Sequence, residues 1–243
     1  MPPIRIILNE PIHPGNIGAT ARAMKTMDQD CLYLVKPRFF PSPAAHALAS
    51  KGSSILDQAI VTETLSEALT DCQLILATAG RDSTLHFPSL DLREAAILAR
   101  QHQASGNLVG IVFGTESIGL SNAEIKLCHY QVRIPTSDTF SSLNLSQAVQ
   151  IVCYELFMAL KHPAPPLVFP TLASHQETER MYLRLETLLR QVDFLKPGHD
   201  KIMMQKIRRL FQRAQLEVNE VKILQGIITN TEALLLAYRD RNV

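Results

Sequence analysis

The chain has almost no charge of either sign to spare. Its 24 lysines and arginines stand against 23 aspartates and glutamates, a formal +1. That balance excludes a wholly basic nucleic-acid coat and an acidic tail. Cysteine is sparse as well. Cys31, Cys72, Cys128 and Cys153 lie far apart, with no C-x-x-C pair among them. Zinc ribbons, redox dithiols and dense disulfide scaffolds are therefore disfavoured, and four reduced, mostly buried thiols are expected. Eight scattered histidines show no ligand spacing, so no metal is expected. No stretch approaches the roughly 18 apolar residues that would cross a bilayer. The first apolar stretch, residues 6–8, is too short for a signal-peptide core and reads as a first strand. These absences point to a soluble cytoplasmic protein without membrane contact.

What is present builds a core. Apolar residues make up 46% of the 243 positions and charged ones 19%, enough for one large domain, or a large and a small one. Up to about residue 160 two patterns alternate. Aliphatic runs at 4–8, 31–35, 59–62, 74–78, 108–113 and 130–134 predict strands. Stretches at 16–27, 65–70, 90–103 and 121–128 predict helices between them. Such runs suit strands covered on both faces, and the alternation predicts an α/β domain with a mostly parallel sheet. A long apolar helix follows at 143–160, opened by a Ser/Asn-rich stretch. Residues 162–170 then hold four prolines in nine positions, which reads as a linker. Beyond it only helical patterns occur, at 175–192, 200–214 and 217–239. The predicted organisation is a domain at 1–161, a linker at 162–174 and a helical extension at 175–243.

Charge divides at the same place. Residues 1–170 carry a net −2 and residues 171–243 a net +3. Most of the excess lies in Lys196, Lys201, Lys206, Arg208, Arg209 and Arg213, around the apolar positions Ile202, Ile207, Leu210 and Phe211. Such a helix fits phosphates, where each neutralised charge releases a counterion, and it equally fits a solvated face.

Three segments offer chemistry. In HPGNIGATARAMKTM (residues 13–27), Gly15 and Gly18 permit a tight turn and Asn16 can cap the helix that follows, leaving N–H groups for an anion. Arg22 falls one turn after Gly18; an ordinary surface ion pair accounts for it too. The third glycine of a dinucleotide fingerprint is missing, which disfavours a nucleotide-dependent oxidoreductase. In IVFGTESIGLSNAEI (residues 111–125), Glu116 follows a strand end at Gly114 and Ser121 caps the next helix. Ligand sites of open α/β sheets form at such ends. In RIPTSDTFSSLNLSQAVQIVCYE (residues 133–155), hydroxyls and amides crowd a helix start, a good grip for a polar ligand and also plain capping. A weaker fourth segment, ATAGR (residues 77–81), ends another strand in small residues.

In combination, NIGATAR at 16–22, GTESIGL at 114–120, Ile134–Pro135 and SSLNLSQAV at 141–149 resemble the SPOUT methyltransferases, in their branch of RNA ribose 2′-O-methyltransferases. Residues 201–227 are similar to the helical extension of the bacterial tRNA methyltransferases acting on cytidine or uridine at nucleotide 32 of the anticodon loop. The chain departs from the common pattern at residues 115–117, where relatives carry bulkier polar or basic groups.

The resemblance implies a Rossmann-like parallel sheet with a deep trefoil knot, a small helical extension, and a homodimer formed through the knot. It implies S-adenosyl-L-methionine (AdoMet) as cofactor, held by Thr78, Ala79, Gly80, Gly114, Ile134, Ser141, Ser142 and Leu143. It implies Arg22 and Ser142 at the reaction centre, with Glu116 and Asn144 in support by orienting Arg22 or the loop. Arg22, Glu116, Lys201, Lys206, Arg208, Arg209 and Arg213 would face a tRNA. A relative modifying ribosomal RNA or another tRNA nucleotide, or a catalytically silent RNA-binding protein, would carry many of the same features.

Overall fold

Strand β1 (Ile4–Asn9) is buried along its whole length, and its side chains alternate between two cores. Ile4, Ile6 and Leu8 point to one face of a sheet and Ile7 to the other. That two-sided burial is why the strands appear as mainly apolar runs with little alternation. In this computed structural model, which describes residues 1–79, 87–137, 139–140, 142–165 and 169–241, the chain forms two compact units, Met1–Phe169 and Pro170–Val243.

The first unit is a seven-stranded sheet in the order β3-β2-β1-β6-β4-β7-β5, with every pairing parallel. The further strands are β2 (Leu32–Val35), β3 (Ile60–Thr62), β4 (Leu74–Ala79), β5 (Ser89–Asp91), β6 (Val109–Phe113) and β7 (Tyr130–Arg133). The helices are α1 (Pro14–Thr26), α2 (Pro43–Ala49), α3 (Ser53–Asp57), α4 (Leu65–Leu69), α5 (Leu92–Ala104), α6 (Asn122–Ile125) and α7 (Leu145–Lys161). Helices α1, α5 and α7 contribute to the larger core, α4 and α6 to the smaller one. The chain winds outward from β1 to β3, crosses to β4, and later inserts β6 between β1 and β4.

Six predicted strands are present within a residue or two. The short edge strand β5 and helices α2 and α3 are additions. Ser89, Leu90 and Asp91 have no apolar run to announce a strand, and the predicted helix start at residue 90 moves to Leu92, behind an Asp91 capping box with Glu94. The predicted helix at 121–128 shrinks to the four residues of α6, with Ser121 as its cap, as expected. Three of the four thiols are buried, Cys31 is half-buried, and all are free. Burial pushes the thiols of Cys72 and Cys153 up to about 12, which keeps them protonated and inert.

Pro165 and Phe169, in the first part of the predicted linker, lie against α5 and the turn after it. The Gln101 side chain donates to the Pro165 carbonyl at 3.1 Å. The Phe169 ring stacks on His102 with centroids 3.9 Å apart. His102 is fully buried, and desolvation lowers its pKa to about 4, so it is neutral near pH 7.

The second unit holds α8 (His175–Gln191), α9 (Asp200–Ala214) and α10 (Val218–Arg241). Ser174 and Glu177 close a capping box on α8. Ala173, Met181, Tyr182, Leu188, Val221 and Ile228 form its small core. Among the described residues no helix is long and apolar enough to cross a membrane.

Candidate active site

Because all seven strands run parallel, their carboxyl ends share one edge, and the three motif segments meet there. The β4–β6 ladder stops at Ala77–Val112, whereas the β4–β7 ladder continues to Ala79–Arg133. Beyond Ala77 the two central strands part. The Thr78 hydroxyl bridges the start of the gap by donating to the Val112 carbonyl at 2.9 Å. Above it stand Ala79 at the end of β4, Gly114 after β6 and Ile134 after β7. Small residues at two of these ends leave backbone groups open to a ligand, and Ile134 and the half-buried Leu143 supply apolar surface. This donor set fits AdoMet: backbone polar groups for the adenine edge, apolar walls for its faces. Gly80 and Ser141 lie outside the described residues.

The loop after β6 is tightly made. A Cβ on Gly114 would come within 2.1 Å of the Gly119 backbone, and Gly119 itself has φ +75°, so both positions require glycine. The Gly119 N–H donates to the Thr115 carbonyl at 2.9 Å. Ser121 and Glu124 close a capping box at the far side. Glu124 also accepts from the buried Asn9 amide at 2.6 Å, tying this loop to the end of β1.

Glu116 reaches from that loop to the start of α1. Its carboxylate accepts from the Ile12 N–H at 2.9 Å, the His13 N–H at 3.0 Å and the Asn16 amide at 3.1 Å. Burial pushes this carboxyl up, but the hydrogen bonds from His13, Asn16 and Ile12 outweigh it and hold it below its ordinary range. Asn16 in turn accepts from the Asn144 amide at 2.9 Å. Asn144 is the N-cap of α7, its oxygen accepting from the Ser146 N–H and hydroxyl. Glu116, Asn16 and Asn144 thus form one hydrogen-bonded chain through all three segments.

Two local expectations change. The N-cap of α1 is His13, not Asn16, which sits on the third helical residue and uses its side chain as the hub. The anion at this helix start is the protein's own Glu116. Gly18 also has a different purpose. Its Cβ would lie 2.0 Å from the Ala45 carbonyl oxygen, so it lets α1 press on α2 instead of shaping a turn.

Arg22 is exposed on α1, on the same stripe as Gly15 and Gly18, and pairs with no described residue. Ser142 is exposed on the segment entering α7. In the sequence Asn16 shows only as a cap and Asn9 does not stand out; a polar amide closing a strand that is apolar but for Arg5 was the available signal.

The basic residues of α9 fall into two groups. Arg208 is half-buried, paired with Glu179 and placed over the Tyr182 ring at 4.7 Å. It fastens α9 to α8. Lys201, Lys206 and Arg213 are exposed and Arg209 half-exposed, and none of them pairs with a described acid. Among the described residues no group of three or more potential ligands could hold a metal ion.

A family model described as the SpoU rRNA Methylase family matches residues 3–154, and one described as the tRNA methyltransferase TrmJ C-terminal domain matches residues 176–241. The tRNA (cytidine/uridine-2′-O-)-methyltransferase TrmJ of Yersinia enterocolitica is 42% identical over 235 residues, covering 94% of this chain and 91% of its own. The crystal structure of TrmJ from Z. mobilis ZM4 superposes with a TM-score of 0.84 at 32% identity, covering 94% of this chain and 99% of that one. The SpoU methyltransferase AviRb from Streptomyces viridochromogenes, in complex with the cofactor AdoMet, shares the fold at 23% identity and a TM-score of 0.52, over 66% of this chain and 61% of its own. The chain belongs to the SpoU methylase family and, within it, to the TrmJ group of tRNA (cytidine/uridine-2′-O-)-methyltransferases.

Proposed function

We propose that this protein methylates the ribose 2′-hydroxyl of cytidine or uridine at nucleotide 32 of the tRNA anticodon loop, with AdoMet as methyl donor. The observation that carries the reading is the Glu116–Asn16–Asn144 chain. It gathers three separated segments at the open gap between β4 and β6, in a protein of the TrmJ group. The cofactor is held by Thr78, Ala79, Gly80, Gly114, Ile134, Ser141, Ser142 and Leu143, within the deep trefoil knot implied by the SPOUT resemblance. When bound, AdoMet supplies a methyl group already activated by its sulfonium, so no metal is required.

The protein's own residues do the rest. Arg22 holds the phosphate and ribose of the target nucleotide and stabilises negative charge growing on the 2′-oxygen. That no described residue pairs with it leaves the guanidinium for that task. Ser142 hydrogen-bonds at the reaction centre. Glu116 and Asn144 hold α1 and the α7 entrance in register, so that Arg22 meets the sugar in a fixed place. Lys201, Lys206, Arg209 and Arg213 grip tRNA phosphates, and Arg208 keeps their helix in position. The homodimer forms through the knot. The test is to incubate the protein with AdoMet and unmodified tRNA and map 2′-O-methyl groups by mass spectrometry. A methyl group at nucleotide 32 is expected; methylation only elsewhere in tRNA, or only of ribosomal RNA, overturns the reading.

A further inference from the structure

Phe140 is the large apolar side chain that the segment between β7 and α7 turns outward. Its exposure is 74%, two residues before Ser142, while Leu143 in the same segment packs on the core. Two hydroxyls just before it are already used. The Ser137 and Thr139 hydroxyls bond each other at 2.8 Å, and the Thr139 N–H donates to the Ser137 oxygen at 3.3 Å. The Phe140 N–H donates to the Ser137 carbonyl at 3.2 Å, closing a small turn that sets the backbone beneath the ring. A solvated phenyl ring gains nothing for the fold, and here it lies two residues from Ser142, which the proposed function puts at the reaction centre of a protein acting on an unpaired loop nucleotide.

We infer that Phe140 is the stacking platform for the base of the target nucleotide. The inference rests on the proposed function and extends it to the base. Cytidine and uridine present opposite groups at the same ring position, a donor and an acceptor, so a polar side chain placed to read one rejects the other. A phenyl ring meets only the π face, which both pyrimidines share, and it orders the nucleotide so that its ribose stays in the site. Phe140 is a binding residue; the chemistry stays with the groups named above.

The experiment compares the wild type, F140L and F140Y on tRNAs carrying cytidine or uridine at nucleotide 32, with AdoMet binding followed by calorimetry. F140L keeps the apolar volume and removes the ring. It is expected to lose about tenfold in kcat/KM on both tRNAs, with AdoMet affinity unchanged, and F140Y to restore most of the loss. F140L as fast as an active wild type overturns the platform alone. A loss on only one of the two tRNAs overturns it too, because a platform serves both bases. A wild type that leaves nucleotide 32 unmethylated overturns the reading of function and the platform with it.

Discussion

Arg22 and Glu116 make opposite use of charge. Arg22 lies on an exposed helix face and pairs with no described residue, whereas Glu116 spends its carboxylate on the start of α1. R22A is therefore expected to abolish methyl transfer while AdoMet affinity by calorimetry stays near the wild type. Equal loss of both would assign Arg22 to the fold. For Glu116 the pH dependence follows from its lowered pKa. The unfolded chain takes up the proton first, so its stabilisation is complete above the ordinary carboxyl range. It is lost as pH falls through the lower folded value. E116Q is expected to cost about 1 kcal/mol near neutrality, the scale of a lost helix cap. The gap to the wild type in urea denaturation should narrow on acidification below the ordinary value of 4.5. A gap that widens instead would show that the carboxylate is not held by these bonds.

Elements meet where side chains are missing. Gly18 brings α1 onto α2, and a Cβ there would meet backbone, which cannot swing aside. G18A is expected to destabilise by about 1–3 kcal/mol, the range of an overpacked core, read as a lower urea midpoint. Unchanged stability would mean that α2 can retreat. In the sequence Gly18 looked like part of a ligand turn, because a glycine for close packing and one for a tight turn leave the same letter. The same limit hid α2, α3 and β5, short elements whose stability comes from neighbours and not from their own periodicity. The long patterned helices α5, α7, α8, α9 and α10 were legible, since each repeats its apolar face over several turns.

At the scale of the whole molecule, a nearly neutral chain concentrates its positive charge in one helix. On α9, Lys206, Arg209 and Arg213 follow at i, i+3 and i+7 and share a stripe, while Arg208 is turned inward to Glu179 and Tyr182. The double variant K206E/R209E is expected to weaken tRNA binding and flatten its dependence on salt, with AdoMet affinity unchanged. Unchanged tRNA affinity would retire α9 as the contact. Composition located the basic segment but not its direction, because six basic residues in eighteen positions cannot reveal which of them a neighbouring acid will claim.

The sequence by itself determined the parallel α/β sheet, the helical region after the prolines, and the three segments that carry the chemistry. Apolar periodicity, proline placement and local motifs are properties of neighbouring residues, readable without a fold. Tertiary structure alone decided that β4 and β6 part beyond Ala77, that Asn16 joins Glu116 to Asn144, and that Arg208 faces inward while Lys206 is exposed. Those outcomes depend on groups up to 128 positions apart, brought together by the parallel sheet placing every carboxyl end on one edge.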